Sequence, residues 1–127
     1  MHGTVDDDEA AAIASLKEKS VVLDVGCGDG SLQHLLNVSH RADVTSHAVD
    51  INKSMHLPKK VIFTRVDLEA GKLPFDDESF DLIYCSHVIE HLTNALDVLD
   101  DIVRCLKVGG ELIIRVPSVS YTHLRAH

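Results

Sequence analysis

The sequence predicts an α/β domain in which helices cover both faces of a mostly parallel sheet. Three observations predict it. Short β-branched runs alternate with segments of helical spacing, the pattern of parallel strands joined by crossovers. One run, "VVLDVGCGDG", ends in a glycine-rich bend between strand and helix. The 127 residues, 45% apolar and 25% charged, suffice for one domain with a real core.

The elements follow in order. Residues 6–19, "DDDEAAAIASLKEK", read as a helix whose acids lead and whose lysines close, as the helix dipole favours. "SVVLDVG" is a buried strand, and "GSLQHLLNV" a helix with Leu32, Leu35 and Leu36 at helical spacing. "ADVTSHAVDI" and "KKVIFTRVD" are the second and third strands, and "LPFDDESFDLIYCS" is a turn followed by the fourth. "TNALDVLDDIVRCLKVGG" is the clearest helix. Leu96, Leu99, Val103 and Leu106 are expected to line its buried face, and Gly109 to end it with a left-handed cap. "ELIIRVP" is a fifth strand stopped at Pro117. In such a sheet ligands bind at the carboxyl ends of the strands, near the switch in strand order. The last residues of each strand are therefore the ones to weigh.

Charge and composition exclude several classes. The net charge of -8 and the 4% aromatic content give no basic groove or stacking platform, which argues against a nucleic-acid partner. No run approaches the roughly 18 apolar residues of a membrane span. The acidic N-terminus does not read as a secretory signal, so a cytoplasmic protein is the default. Cys27, Cys85 and Cys105 lack metal-like spacing and sit in apolar stretches, as buried reduced thiols do. Of nine histidines only His87 and His91 are four apart, without the glutamate pattern of a zinc site, so no metal is expected.

Glycines at a strand-to-helix bend allow positive φ and close approach of a ligand to bare backbone, beside the unpaired amides of the next helix. Gly26, Gly28 and Gly30 form GxGxG. A dinucleotide fingerprint would need its third glycine at position 31, which is Ser31. Asp24, inside the strand end, would repel a pyrophosphate and attract a cationic amino group or sulfonium. A tight turn for packing is the bland alternative. Asp50 ends the second strand, where a carboxylate can accept from two ribose hydroxyls or simply cap a helix. Asp67 ends the third strand, where it could accept from an adenine amine or act as a loop cap, with Leu68 and Ile51 as apolar faces for a ring. The fourth strand runs out at Cys85 and Ser86, and a helix-like segment carries His87, Glu90 and His91.

Together and in order, "VLDVGCGDG", "AVDI", "VDLEAGKLPFDDESFDLIYCSHVIEHL" and "LKVGGELIIRVPS" resemble the class I S-adenosylmethionine-dependent methyltransferases, in particular the type 11 or UbiE-like group, over about residues 20–118. The resemblance implies a Rossmann-like three-layer sandwich with S-adenosylmethionine as cofactor. It implies Asp24, Gly26, Cys27, Gly28 and Gly30 around the methionine part, and Asp50 on the ribose with Ile51 beside the adenine. It implies Asp67 on the adenine amine with Leu68 alongside, and Ser86 and His87 next to the cofactor. His87 and His91 are candidates for a general base, with packing at the cofactor site as the alternative.

The family usually adds a helix and an antiparallel strand pair after the fifth strand, and only "VSYTHLRAH" follows Ser118. The expectation is an incomplete methyltransferase core over 1–118 and a non-native or disordered tail over 119–127. "SYTHLRAH" is similar to a recurrent non-native ending of truncated metagenomic reading frames. The fifth strand would then be an open edge, a route to a dimer. The expected activity is methyl transfer to a small molecule, lipid or glycan precursor. The alternatives are a non-catalytic S-adenosylmethionine-binding fragment or partner subunit, and a nicotinamide-dependent oxidoreductase, which Ser31 and Asp24 disfavour.

Overall fold

The computed structural model describes residues 4–116 and 121–126. Its core is a six-stranded sheet in the order β3-β2-β1-β4-β5-β6. The strands are β1 (Val21–Val25), β2 (Thr45–Asp50), β3 (Ile62–Arg65), β4 (Phe80–Ser86), β5 (Leu106–Arg115) and β6 (Tyr121–Arg125), and the helices are α1 (Thr4–Ala14), α2 (Ser31–Val38) and α3 (Ala95–Cys105). The first five strands pair in parallel, and β6 runs antiparallel to β5. This is the Rossmann-like architecture expected. The order reverses between β1 and β4, which places a ligand crevice over the carboxyl ends of those two strands.

Alternation along the central strands builds two core layers. Val22 of β1 with Leu82 and Tyr84 of β4 pack against Ile13 of α1 and Leu32 and Leu36 of α2. Leu23 and Val25 with Ile83 and Cys85 point the other way, onto Val98, Ile102 and Cys105 of α3. Strands buried on both faces read as continuous apolar runs, and "VVLDV" and "LIYC" do.

Four expectations are corrected. Helix α1 stops at Ala14, not at residue 19, because Arg41 reaches back from the far end of α2. Its guanidinium donates to Ile13 O at 2.8 Å, Ala14 O at 3.2 Å and Lys17 O at 3.2 Å, taking carbonyls a longer helix would use. Helix α3 ends at Cys105 and Leu106 is already extended, so Gly109 is not its cap. The amides of Glu78 and Ser79 donate to Arg104 O (2.9 Å) and Cys105 O (2.8 Å), and the chain passes straight into β5. Gly109, at φ +80, belongs to the irregular start of β5, where the register with β4 shifts between Phe80 and Leu82. The buried face of α3 is Val98, Ile102 and Cys105, with Leu99 at its margin, while Leu96 and Val103 are 78% and 51% exposed. The helix carries two overlapping apolar stripes, and spacing alone cannot choose between them.

The fourth correction concerns the sheet edge. Strand β6 pairs with β5 from Arg115↔Tyr121 to Glu111↔Arg125, so β5 is not an open edge. The expected dimer route through that edge of β5 is closed by β6, Tyr121–Arg125. Pro117, the expected end of the fifth strand, lies outside the described residues. No helix among the described residues is long and apolar enough to cross a membrane.

Candidate cofactor site at the carboxyl ends of the strands

The bend after β1 has the geometry its glycines anticipate. Gly26, Gly28 and Gly30 take φ of +70, +50 and +99. A Cβ on Gly26 would lie 2.0 Å from Val88 Cγ2, so the approach of the segment after β4 requires glycine there. At Gly28 a Cβ would meet nothing within 4 Å, and the space over this backbone is open. Gly30 opens α2. The amides of Gly26 and Cys27 donate to Val49 O at 2.9 and 3.2 Å, which pins the bend to the end of β2.

Asp50 faces this bend from the last position of β2. Its Oδ2 accepts from Gly28 N at 3.0 Å and its Oδ1 from Ile51 N at 2.7 Å. Each oxygen keeps a lone pair for a ligand hydroxyl. Ile51, 48% exposed, stands beside it as an apolar surface.

Asp24 is different. It is 2% exposed, Oδ2 accepts from Leu32 N at 3.2 Å, and Oδ1 is buried with no partner. Burial pushes its pKa up to about 7; the Leu32 amide lowers it and Asp50 raises it further. The carboxyl is buried, with one oxygen on the first turn of α2. Burial, followed by the charges of Asp24 and Asp50, pushes the Cys27 thiol up to about 12. Burial with Asp24 and Glu90 does the same for Cys85. Both thiols stay protonated and inert, and all three cysteines are free and buried.

The remaining expected residues are placed less uniformly. Asp67 is exposed, and its Oδ1 accepts from Glu69 N at 3.0 Å, so it caps its own turn. Leu68 packs on the α3-side core, and its carbonyl accepts from Asn94 Nδ2 at 3.2 Å. Leu68 also lines a cavity of about 550 Å³ between residues 68–73 and α3, whose lining includes no residue of the glycine bend. Ser86 is half-buried at the end of β4. His87 follows it at φ +58, exposed, and its amide donates to Arg115 O at 2.7 Å. A tight helical turn, Ile89–His91, comes next, and exposed His91 has Nε2 3.5 Å from Glu90 Oε2. The structure thus gathers Asp24, the glycine bend, Asp50 and Ile51 into one cluster. Asp67 caps its own turn instead, and His91, besides Glu90, donates its amide to Val88 O at 3.0 Å.

Two residues at the cluster were not anticipated: Val88, against Gly26, and Ser54, whose Oγ donates to Asp29 Oδ1. Asp29 lies inside the glycine motif and was legible as a polar residue there. Nothing local marks Val88 or Ser54. Among the described residues no group of three or more His, Cys, Asp or Glu could hold a metal ion.

A parallel sheet with a bare-backbone bend after β1 and a carboxylate after β2 defines a nucleotide-cofactor domain. The methyltransferase-domain family matches residues 23–114, and the chain belongs to that family. S-adenosylmethionine is the methyl donor of this class. The chain is 35% identical over 100 residues to an uncharacterized protein of Methanocaldococcus jannaschii, covering 79% of this chain and 42% of that one. It is 32% identical over 116 residues to a ubiquinone/menaquinone biosynthesis C-methyltransferase of Hydrogenovibrio crunogenus, covering 83% and 45%. A solved S-adenosylmethionine-dependent methyltransferase from Aquifex aeolicus superposes with a TM-score of 0.67 at 25% identity, over 87% of this chain and 63% of the other. The chain therefore spans under half the length of these curated relatives.

The cluster fits such a ligand. Asp50 suits vicinal hydroxyls, Ile51 suits the face of a ring, and the open backbone at Gly28 admits a chain in close contact. The Asp50 carboxylate at the mouth of the bend suits a cation.

Proposed function

We propose that this chain forms the cofactor-binding part of an S-adenosylmethionine-dependent methyltransferase whose acceptor is a small molecule, lipid or glycan precursor. The supporting observation is the carboxylate of Asp50, held 3.0 Å from Gly28 N across the open bend. S-adenosylmethionine, when bound, supplies an electrophilic methyl group on sulfur. Asp50 binds and orients the ribose, and its tie to Gly28 N keeps carboxylate and bend in register before binding. Asp50 offsets the positive charge of the ligand, and Asp24 adds to that offset above about pH 7, where it is ionised. The protonated thiols of Cys27 and Cys85 keep competing nucleophiles away from the methyl group. Asp67 and Leu68 are the adenine-side contacts in this reading, and Ser86 and His87 the wall at the end of β4. For an acceptor that must lose a proton, His87 and His91 are exposed imidazoles at this end of the sheet. His87 sits at a positive φ that costs about 1 kcal/mol, and its bond to Arg115 O holds it there.

Calorimetric titration tests this reading. S-adenosylmethionine should bind saturably and NAD should not, and Asp50→Ala should weaken binding by about 1.5–3 kcal/mol, the scale of hydrogen bonds to a charged group. Binding of NAD alone, or an unchanged affinity in folded Asp50→Ala, would overturn it.

A further inference from the structure

We propose that Ser54 is a positioning residue for the cofactor: through Asp29 it locks the loop after β2 onto the glycine bend and so fixes the wall that Ile51 presents. The inference rests on the cofactor reading above. The loop from Ile51 to Pro58 has no regular structure, and Ile51 is the residue it must hold beside the ligand.

Beyond the amides that Val49 O receives from Gly26 and Cys27, two side-chain ties join this loop and the strand end before it to the bend. Asp50 takes the amide of Gly28, and Asp29, one residue on, takes the hydroxyl of Ser54. Ser54 also organises its own turn: its Oγ accepts from His56 N at 3.0 Å and its carbonyl from Leu57 N at 3.2 Å. That turn delivers Leu57, 7% exposed, into a small cluster with Cys27, Ala48 and Val61. It also sets Leu57 and Pro58 against Gly30, where a Cβ would lie 3.1 and 3.0 Å from them. One hydroxyl thus serves as donor to the bend and acceptor for its own loop. Without it the loop keeps its Leu57 anchor, but nothing recorded ties Ser54 to the bend.

Asp29 is exposed, so its bond with Ser54 adds little to folding stability; such bonds exchange readily with water. Its effect is geometric, and it should be read in binding rather than in melting. Titrating S-adenosylhomocysteine and methylthioadenosine into the wild-type chain, Ser54→Ala, Ser54→Thr, Asp29→Ala and the double variant separates the outcomes. Ser54→Ala should weaken both ligands about 5- to 20-fold with its melting temperature essentially unchanged, because the displaced wall faces the nucleoside that both share. Ser54→Thr should restore binding, and the double variant should bind no worse than Asp29→Ala, the mark of two residues acting through one bond. Wild-type affinity in Ser54→Ala, or additive losses in the double variant, would overturn the positioning role and leave the cofactor reading intact. Failure of the folded wild-type chain to bind either ligand would overturn both.

Discussion

The two ends of the sheet treat their aspartates in opposite ways. At the amino end the acids are neutralised within the chain. Asp81, its side chain 10% exposed, accepts from Val21 N at 2.9 Å and Lys107 Nζ at 3.3 Å, with Lys17 Nζ at 3.5 Å. Asp101 accepts from Arg104 Nε at 2.8 Å and Leu73 N at 2.5 Å, and Asp43 from Lys19 N and Arg41. Burial tends to raise Asp81 and Asp101, but their hydrogen bonds and cationic partners outweigh it and both titrate low. At the carboxyl end every recorded partner of Asp24 and Asp50 is a backbone amide, and Asp24 is pushed up to about 7. The contrast teaches where charge is settled by the fold and where it awaits a ligand. An uncompensated buried acid costs stability, and a site that binds a cation recovers that cost on binding.

The largest expected effect breaks the carboxyl end by sterics. Gly26→Ala drives a methyl group to 2.0 Å from Val88 and strains a backbone at φ +70, a combination of about 3 kcal/mol. Its counterpart at the other end, Gly109→Ala, shares the positive φ but meets nothing within 4 Å, and should cost only about 1 kcal/mol. Urea unfolding ranks the two, and titration with S-adenosylhomocysteine should show loss of binding for Gly26→Ala alone. Equal costs would mean that the segment after β4 does not rest on Gly26.

The second effect concerns Asp24 and has the opposite sign. Folded, Asp24 holds its proton up to about pH 7; unfolded, it gives it up near the ordinary 3.8. The folded state therefore binds more protons between those values, and this residue's contribution to stability falls as pH rises through the window. The full cost above pH 7 is about 4 kcal/mol at the conversion of 1.36 kcal/mol per pKa unit. Asp24→Asn removes it but buries an amide short of a partner, at about 1–3 kcal/mol. The variant should be about 2 kcal/mol more stable than wild type at pH 8 and about 2 kcal/mol less stable below about pH 4, where wild-type Asp24 keeps its proton in both states and only the cost of the amide remains. Denaturation at pH 5, 6, 7 and 8 checks this, and parallel stability curves for the two proteins would contradict it.

How much of this is legible in the sequence depends on whether the cause is local. The bend at Gly26–Gly30 and the strand-ending Asp50 announce themselves, because positive φ and a strand's last position leave marks within a few residues. The six elements quoted from β1 to β4 and α2 to α3 fall where period and turn residues place them. The ends of α1 and α3 do not, because Arg41 and the amides of Glu78 and Ser79 reach those carbonyls from elsewhere in the chain. The face of α3 is ambiguous from spacing because Leu99 belongs to both of its stripes. Strand β6 exists by pairing with β5, and "YTHLR" alone gives little reason for it. In the site, Asp24 shows the same limit: its place at a strand end marks it, whereas only three dimensions reveal that its carboxyl is buried.

The smallest effect sharpens the contrast from the amino end. Asp81 titrates low in the folded chain, so its contribution is present above its unfolded pKa and is lost as pH falls through its folded pKa. Asp81→Asn keeps an acceptor for Val21 N but loses the attraction of Lys107 and Lys17, whose side chains are 37% and 70% exposed. Pairs so open to solvent contribute little, and the variant should lose about 1 kcal/mol at pH 7. The loss should shrink as pH falls below the ordinary 3.8 and vanish once the folded wild-type carboxylate is itself protonated. Asp24→Asn and Asp81→Asn should therefore differ in sign at neutral pH, and in acid Asp81→Asn should approach wild type while Asp24→Asn falls below it. Chemical denaturation of both across pH 3–8 reads this directly. If Asp81→Asn were to gain stability at pH 7 as Asp24→Asn does, the amino end would carry surplus negative charge too, and the carboxyl end would lose its claim to be the one place where the fold leaves acids for a ligand to neutralise.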